Sequence, residues 1–157
     1  MGIVVSSRGV GFAVIEGKNI LVDWGAKMMT GDKSTASLST IAKLLQHYRP
    51  DAVAIENTQP NKSKRGERVQ ALAQQIASMA RSCNIAVRCF TRKQVNHAIM
   101  PGKPGTKHLL AVHLAARYPL ELGHRLPRKR RNYDNEDPRM DLFDAVALAE
   151  CYLRGRR

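Results

Sequence analysis

Ala52-Val-Ala-Ile-Glu56 is apolar at four successive positions instead of alternate ones. A strand with that pattern has both faces covered, so it belongs inside a parallel sheet with helices on either side. Just before it, Leu38, Ile41, Leu45 and Tyr48 recur every three or four residues from Ser34 until Pro50 ends the run, which predicts a helix. Residues 2–5 and 10–15 are short apolar runs, and Glu16-Gly-Lys-Asn19 joins the second to Ile20-Leu-Val22 as a hairpin would. Three antiparallel strands are therefore expected to open the chain.

Beyond the central strand, a helix from about Lys64 or Arg65 carries Val69, Leu72, Ile76, Met79 and Cys83 on one face. That face is expected to pack on the sheet, with a dimer seam as the alternative. A strand at 85–89, a short helix at 92–98, a Gly and Pro loop at 101–105, a helix at 107–117 and a terminal helix over 140–153 complete the reading. The fold class is mixed α/β, in a single domain spanning residues 1–157.

Charge narrows the partner. The chain carries 26 Lys+Arg against 13 Asp+Glu, a formal net charge of +13. A surface that basic gains affinity for nucleic acid by displacing counterions from phosphates. No apolar run reaches the roughly 18 residues needed to cross a bilayer, and the first 20 residues lack the form of a signal peptide. A cytoplasmic protein without a membrane partner is expected. Cys83, Cys89 and Cys151 form no CxxC pair and are read as core thiols. The five histidines lack zinc-site spacing.

Residues 124–139 stand apart, holding Arg125, Arg128, Lys129, Arg130 and Arg131, then Asp134, Glu136 and Asp137, with almost no apolar side chain. A mobile basic loop is expected there, serving as a solvated linker or as a phosphate clamp that orders on binding. Lys62, Lys64, Arg65, Arg68 and Lys103 would extend the same nucleic-acid-binding surface.

Asp141 and Asp144 lie three residues apart in an otherwise apolar helical run, and so share a helix face. Either they line the solvent stripe of an amphipathic helix, or they are close enough to need a proton or a cation between them. Glu56 ends the central strand, and ligands of parallel α/β sheets gather beyond the carboxyl ends of the strands. If the last helix crosses that end, Glu56, Asp141 and Asp144 converge as hard oxygen ligands of the kind magnesium prefers.

These residues carry a resemblance. Ser6-Ser-Arg-Gly-Val-Gly-Phe-Ala-Val-Ile15, Glu56 closing the fourth strand, Lys93-Gln-Val-Asn96 followed by Gly105-Thr-Lys107, and Asp141-Leu-Phe-Asp-Ala145 come in this order. Over nearly its whole length the chain resembles the RuvC-like branch of the ribonuclease H superfamily, which includes metal-dependent Holliday junction resolvases. The resemblance implies a five-stranded sheet in the order 3-2-1-4-5 flanked by helices. It implies magnesium, with manganese as the alternative ion, held by Glu56, Asp141 and Asp144, and Lys107 as a basic residue beside the scissile phosphate. It further implies branched DNA as partner and a homodimer.

Three departures bear on activity. Where the family places an aspartate on the first strand, the matching positions are Val4 and Val5. Asp23 would lie two strands away, about 9 to 10 Å at the usual strand spacing, and Ser6 and Ser7 offer only neutral hydroxyls. Asn57-Thr-Gln59 stands where some resolvases carry an aromatic wedge, and Asn96 replaces a lysine. Three functions follow: a structure-selective DNA endonuclease, a binding module of the same fold that has lost catalysis with the aspartate, or a ribonuclease acting on RNA or hybrids.

Overall fold

A computed structural model describes residues 1–59, 65–103 and 105–155. The chain opens with β1 (Gly2–Val5), β2 (Gly9–Glu16) and β3 (Ile20–Met28), an antiparallel meander. There follow α1 (Lys33–Tyr48), β4 (Ala52–Glu56), α2 (Glu67–Ser82), β5 (Ala86–Phe90), α3 (Arg92–Ile99), α4 (Lys107–Arg117), α5 (Pro119–Leu122), a 3-10 turn (Gly123–Arg125) and α6 (Met140–Arg154). The sheet order is β3-β2-β1-β4-β5, the order implied by the resemblance. β4 pairs in parallel with both β1 and β5, and its first four residues are buried, as the unbroken apolar run requires.

Alternation along the strands divides the core into two layers. Val4, Ala13 and Ala54 face α6, which is backed by buried residues of α3 and α4. Ile3, Val5, Phe12, Val53 and Ile55 face the other way, towards α1 and α2. Val69, Leu72 and Ile76 are buried in this second layer, so the apolar stripe of α2 is used within the chain. On the first face the backbone of α6 comes close to the sheet at two glycines. A Cβ on Gly2 would collide with the Ala145 carbonyl, and one on Gly11 with the Asp141 carbonyl.

Several expectations are corrected. β3 runs on to Met28, because pairing with β2 continues from Glu16↔Ile20 to Gly9↔Met28 although the apolar pattern stops at Val22. α2 begins at Glu67 after Gly66, which is in extended conformation; Lys62 and Lys64 lie outside the described residues. α5 and the 3-10 turn have no counterpart among the expected elements, being four and three residues long with no apolar period to display. Cys83 and Cys89 are exposed and only Cys151 is buried. Cys83 caps the C-terminus of α2, and Cys89 lies on an edge strand. Among the described residues no helix is long and apolar enough to cross a membrane.

Candidate active site

The N-terminal turn of α6 is laid against the sheet where β1 and β2 pair. Gly11 is the partner of Val4, and the Asp141 backbone sits directly over Gly11. Glu56 follows Ile55, the partner of Ile3, and by alternation shares with Ala54 the face that meets α6. Glu56, Val4 and Asp141 therefore lie on the same face, at the same end of the sheet. Both aspartates of α6 are only 4% exposed, which overturns the solvent-stripe alternative. The helix crosses the middle of the sheet and is covered by α3 and α4, so it has little solvent face at this point.

Cationic side chains crowd the carboxylates. Asp144 forms ion pairs with Arg92 and, at 3.2 Å, with Lys107 Nζ. Arg92 is the first residue of α3, fixed there by a capping box in which the Thr91 hydroxyl and the Gln94 side chain each take up the other's backbone N–H. Lys107 begins α4, whose N-cap Thr106 accepts from Leu109 N at 3.2 Å. Glu56 Oε2 accepts from Arg65 Nε at 3.1 Å and Nη2 at 2.8 Å. Burial works against the charge of the Arg65 guanidinium, while Glu56, then Asp144 and Asp141, hold the charge in place.

Asp141 differs from these. Its Oδ1 is buried without a hydrogen-bond partner. Burial pushes its carboxyl above the ordinary aspartate range; a hydrogen bond from Ser6 opposes the shift, Asp144 adds to it, and Arg8 and Lys107 pull it back.

Among the described residues no group of three His, Cys, Asp or Glu side chains is arranged to hold a metal ion. The fit to magnesium is therefore partial. Asp141 and Asp144 each have a buried oxygen that accepts no hydrogen bond, but Asp144 is paired with Arg92 and Lys107, Glu56 is engaged by Arg65, and Val4 offers nothing. Asp23 does not fill the gap. It lies opposite Val14, accepts from Tyr48 Oη at 2.5 Å and takes up the Trp24 N–H at 2.8 Å.

Of the basic residues expected to contact nucleic acid, Arg65 and Lys107 are in the carboxylate cluster, and Arg68 donates to the Ser7 carbonyl at 3.0 Å beside it. Arg128 and Arg130 line a cleft of about 500 Å³ with Lys107, His108 and Glu136. Arg125 lies in the 3-10 turn, Lys129 is exposed, and Arg131 donates to Tyr133 Oη at 3.1 Å. Lys103 is one of the cations near His113, whose imidazole is held low by burial first and then by Arg154, Lys103 and Arg117. Asn96, at the lysine position of the resemblance, donates to the Gly105 carbonyl at 3.0 Å and so ties α3 to the loop before α4.

Sequence reasoning missed Arg8, Arg92 and Glu136. The capping box marks the start of α3 at Arg92 but not its ionic partner, and no local signal marks the other two.

The fold as a whole has a known counterpart. Thermus thermophilus RuvC superposes with a TM-score of 0.68 at 19% sequence identity, over 99% of this chain and 93% of that one. The chain has the RuvC fold. The T. thermophilus RuvC structure in complex with Holliday junction substrate gives the same score and identity, over 99% of this chain and 92% of that one. No protein-family model and no curated protein matches the sequence. Within the RuvC fold, the carboxylates of Glu56, Asp141 and Asp144 share one face and end of the sheet, while the position facing them on β1 is an apolar Val4.

Proposed function

We propose that the protein is a structure-selective endonuclease of the resolvase type, which binds branched DNA at the carboxyl end of β1 and β4 and hydrolyses a phosphodiester there. Asp141 carries the reading. A buried carboxylate oxygen with no hydrogen-bond partner is costly to the fold, and the atoms of residue 141 nearest Gly11 are its backbone and Cβ. A cation arriving with the substrate would supply the missing partner of Oδ1.

Asp141 and Asp144 would hold magnesium, with water and phosphate oxygens in its remaining positions, an arrangement that this ion accepts. Bound there, the ion would supply charge stabilisation at the phosphorus. The chain's own groups have separate roles. Arg92 orients Asp144, and Lys107 is within reach of a phosphate oxygen. Two such chains related by a two-fold axis would match the symmetry of a four-way junction, which sedimentation of the complex would reveal.

Val4 favours a second reading, a module that binds branched DNA without cutting it. A labelled four-way junction in magnesium, offered to the chain, to Val4→Asp and to Asp144→Asn, separates the two. Expected are slow cleavage by the chain, none by Asp144→Asn, and a gain on the order of a hundredfold in Val4→Asp, the size typical of one transition-state contact. Tight binding with no cleavage by either the chain or a folded Val4→Asp would establish the binding module. An RNA–DNA hybrid cut faster than the junction would make the protein a ribonuclease.

A further inference from the structure

Glu136 stands where an anionic ligand would. Its Oε1 is 2.6 Å from Lys107 Nζ, its Oε2 is 3.8 Å from Arg8 Nη2, and its backbone carbonyl accepts from Arg8 Nη1 at 2.6 Å. The same lysine nitrogen is 3.2 Å from Asp144 Oδ2. Arg8 follows the end of β1 and Lys107 begins α4, so two cations fixed by different elements converge on one carboxylate. That carboxylate comes from a segment in neither helix nor strand, and its side chain is 28% exposed, outside the core. Arg128 and Arg130 line the cleft that continues from it. A Lys and an Arg spaced to share one carboxylate also suit a phosphodiester, which presents two anionic oxygens to the same donors.

We infer that Arg8 and Lys107 form a seat for one backbone phosphate of the bound strand, and that the Glu136 carboxylate fills this seat until nucleic acid displaces it. The inference rests on the reading of this end of the sheet as a nucleic-acid site. It adds Arg8 to the binding surface and gives Glu136 the role of a resident competitor. Exchange of one carboxylate for one phosphate at partly exposed cations is close to neutral in energy. The seat is therefore won by a strand that engages Arg128 and Arg130 at the same time, and an isolated phosphate group gains little there. Such competition favours extended contact along the cleft over chance encounters with short anions.

The test is Glu136→Gln, which keeps the shape and removes the charge. A fluorescent four-way junction titrated at several salt concentrations should bind the variant about three- to tenfold more tightly at low salt. The slope of log K against log salt should steepen by about one, the equivalent of one more neutralised phosphate. Adding Arg8→Gln to Glu136→Gln should remove the gain. Equal affinity and slope in Glu136→Gln, or weaker binding, overturns the seat while leaving the functional reading in place. Inorganic phosphate provides the complementary probe, followed through the side-chain nitrogen resonances of Arg8 and Lys107. These should move in Glu136→Gln and stay still in the unaltered chain at the same concentration. If they move but no form binds the junction, the seat stands and the functional reading fails. If they move equally in both proteins, Glu136 is not a competitor and the inference is wrong.

Discussion

The carboxyl of Asp141 is held above its ordinary range by burial first and also by Asp144 beside it, although Ser6 and two cations oppose the shift. A raised folded-state value means that its contribution to stability is complete below the ordinary aspartate range and is lost as the pH climbs through the raised value. At neutral pH the ionised group is a liability to the fold. Asp141→Asn should therefore stabilise the protein by about 1 kcal/mol at pH 7 while abolishing cleavage, as functional groups often trade against stability. Urea denaturation at pH 7 and again near pH 4, without divalent ions, checks the sign, since the advantage should shrink at the lower pH. A loss of stability at pH 7 would mean that Asp141 is an ordinary structural residue. At this scale the sequence drew attention to the carboxylates and to Arg65 and Lys107, but not to Arg8 or Arg92. Asp141, Asp144 and Glu56 announce themselves by carboxylates set in apolar runs, whereas Arg92 meets Asp144 from a distant part of the chain. Spacing along one element carries no information about an ion pair made between two.

Among the elements, the segment after the 3-10 turn is the part of the proposed binding surface most directly open to test. Replacing Arg128, Lys129, Arg130 and Arg131 with alanine should weaken junction binding and flatten its salt dependence by up to about four, at roughly 0.9 for each phosphate that is no longer neutralised. An unchanged slope would remove this segment from the interface. The helices were legible because amphipathic periods of three and four residues persist over several turns, and α4 runs over the residues expected of it. β3 was legible only in part. Its backbone is bound to β2 through Met28, but as an edge strand it carries Asp23, Gly25 and Lys27 without penalty, so its side chains do not declare a strand. The β-bulge between Val14 and Ile15 further offsets the pairing that the hairpin alone would suggest.

For the whole molecule, a net charge of +13 means that any extended polyanion will be attracted, so selectivity is best measured by comparing ligands of equal charge. A four-way junction should raise the midpoint of thermal unfolding more than a duplex of the same length does. At a hundredfold excess over Kd, bound ligand adds about 2.7 kcal/mol. Equal shifts would leave a duplex binder without preference for branches. The strand order was legible from the resemblance and from the buried pattern of β4. Which side of the sheet α6 would occupy was not, since it depends on Gly2 and Gly11 leaving room for a backbone. That docking has a kinetic side. β1 lies at the centre of the sheet, yet its parallel partner β4 is synthesised some fifty residues later and the helix that completes its layer is last of all. Contacts so remote in sequence form late and slowly. A ribosome-bound chain that has not yet released its final helix already displays most of the positive charge but has neither Asp141 nor Asp144 in place. During synthesis the basic surface is thus exposed before the two aspartates of the last helix are docked, and a prematurely ended chain would remain in that condition.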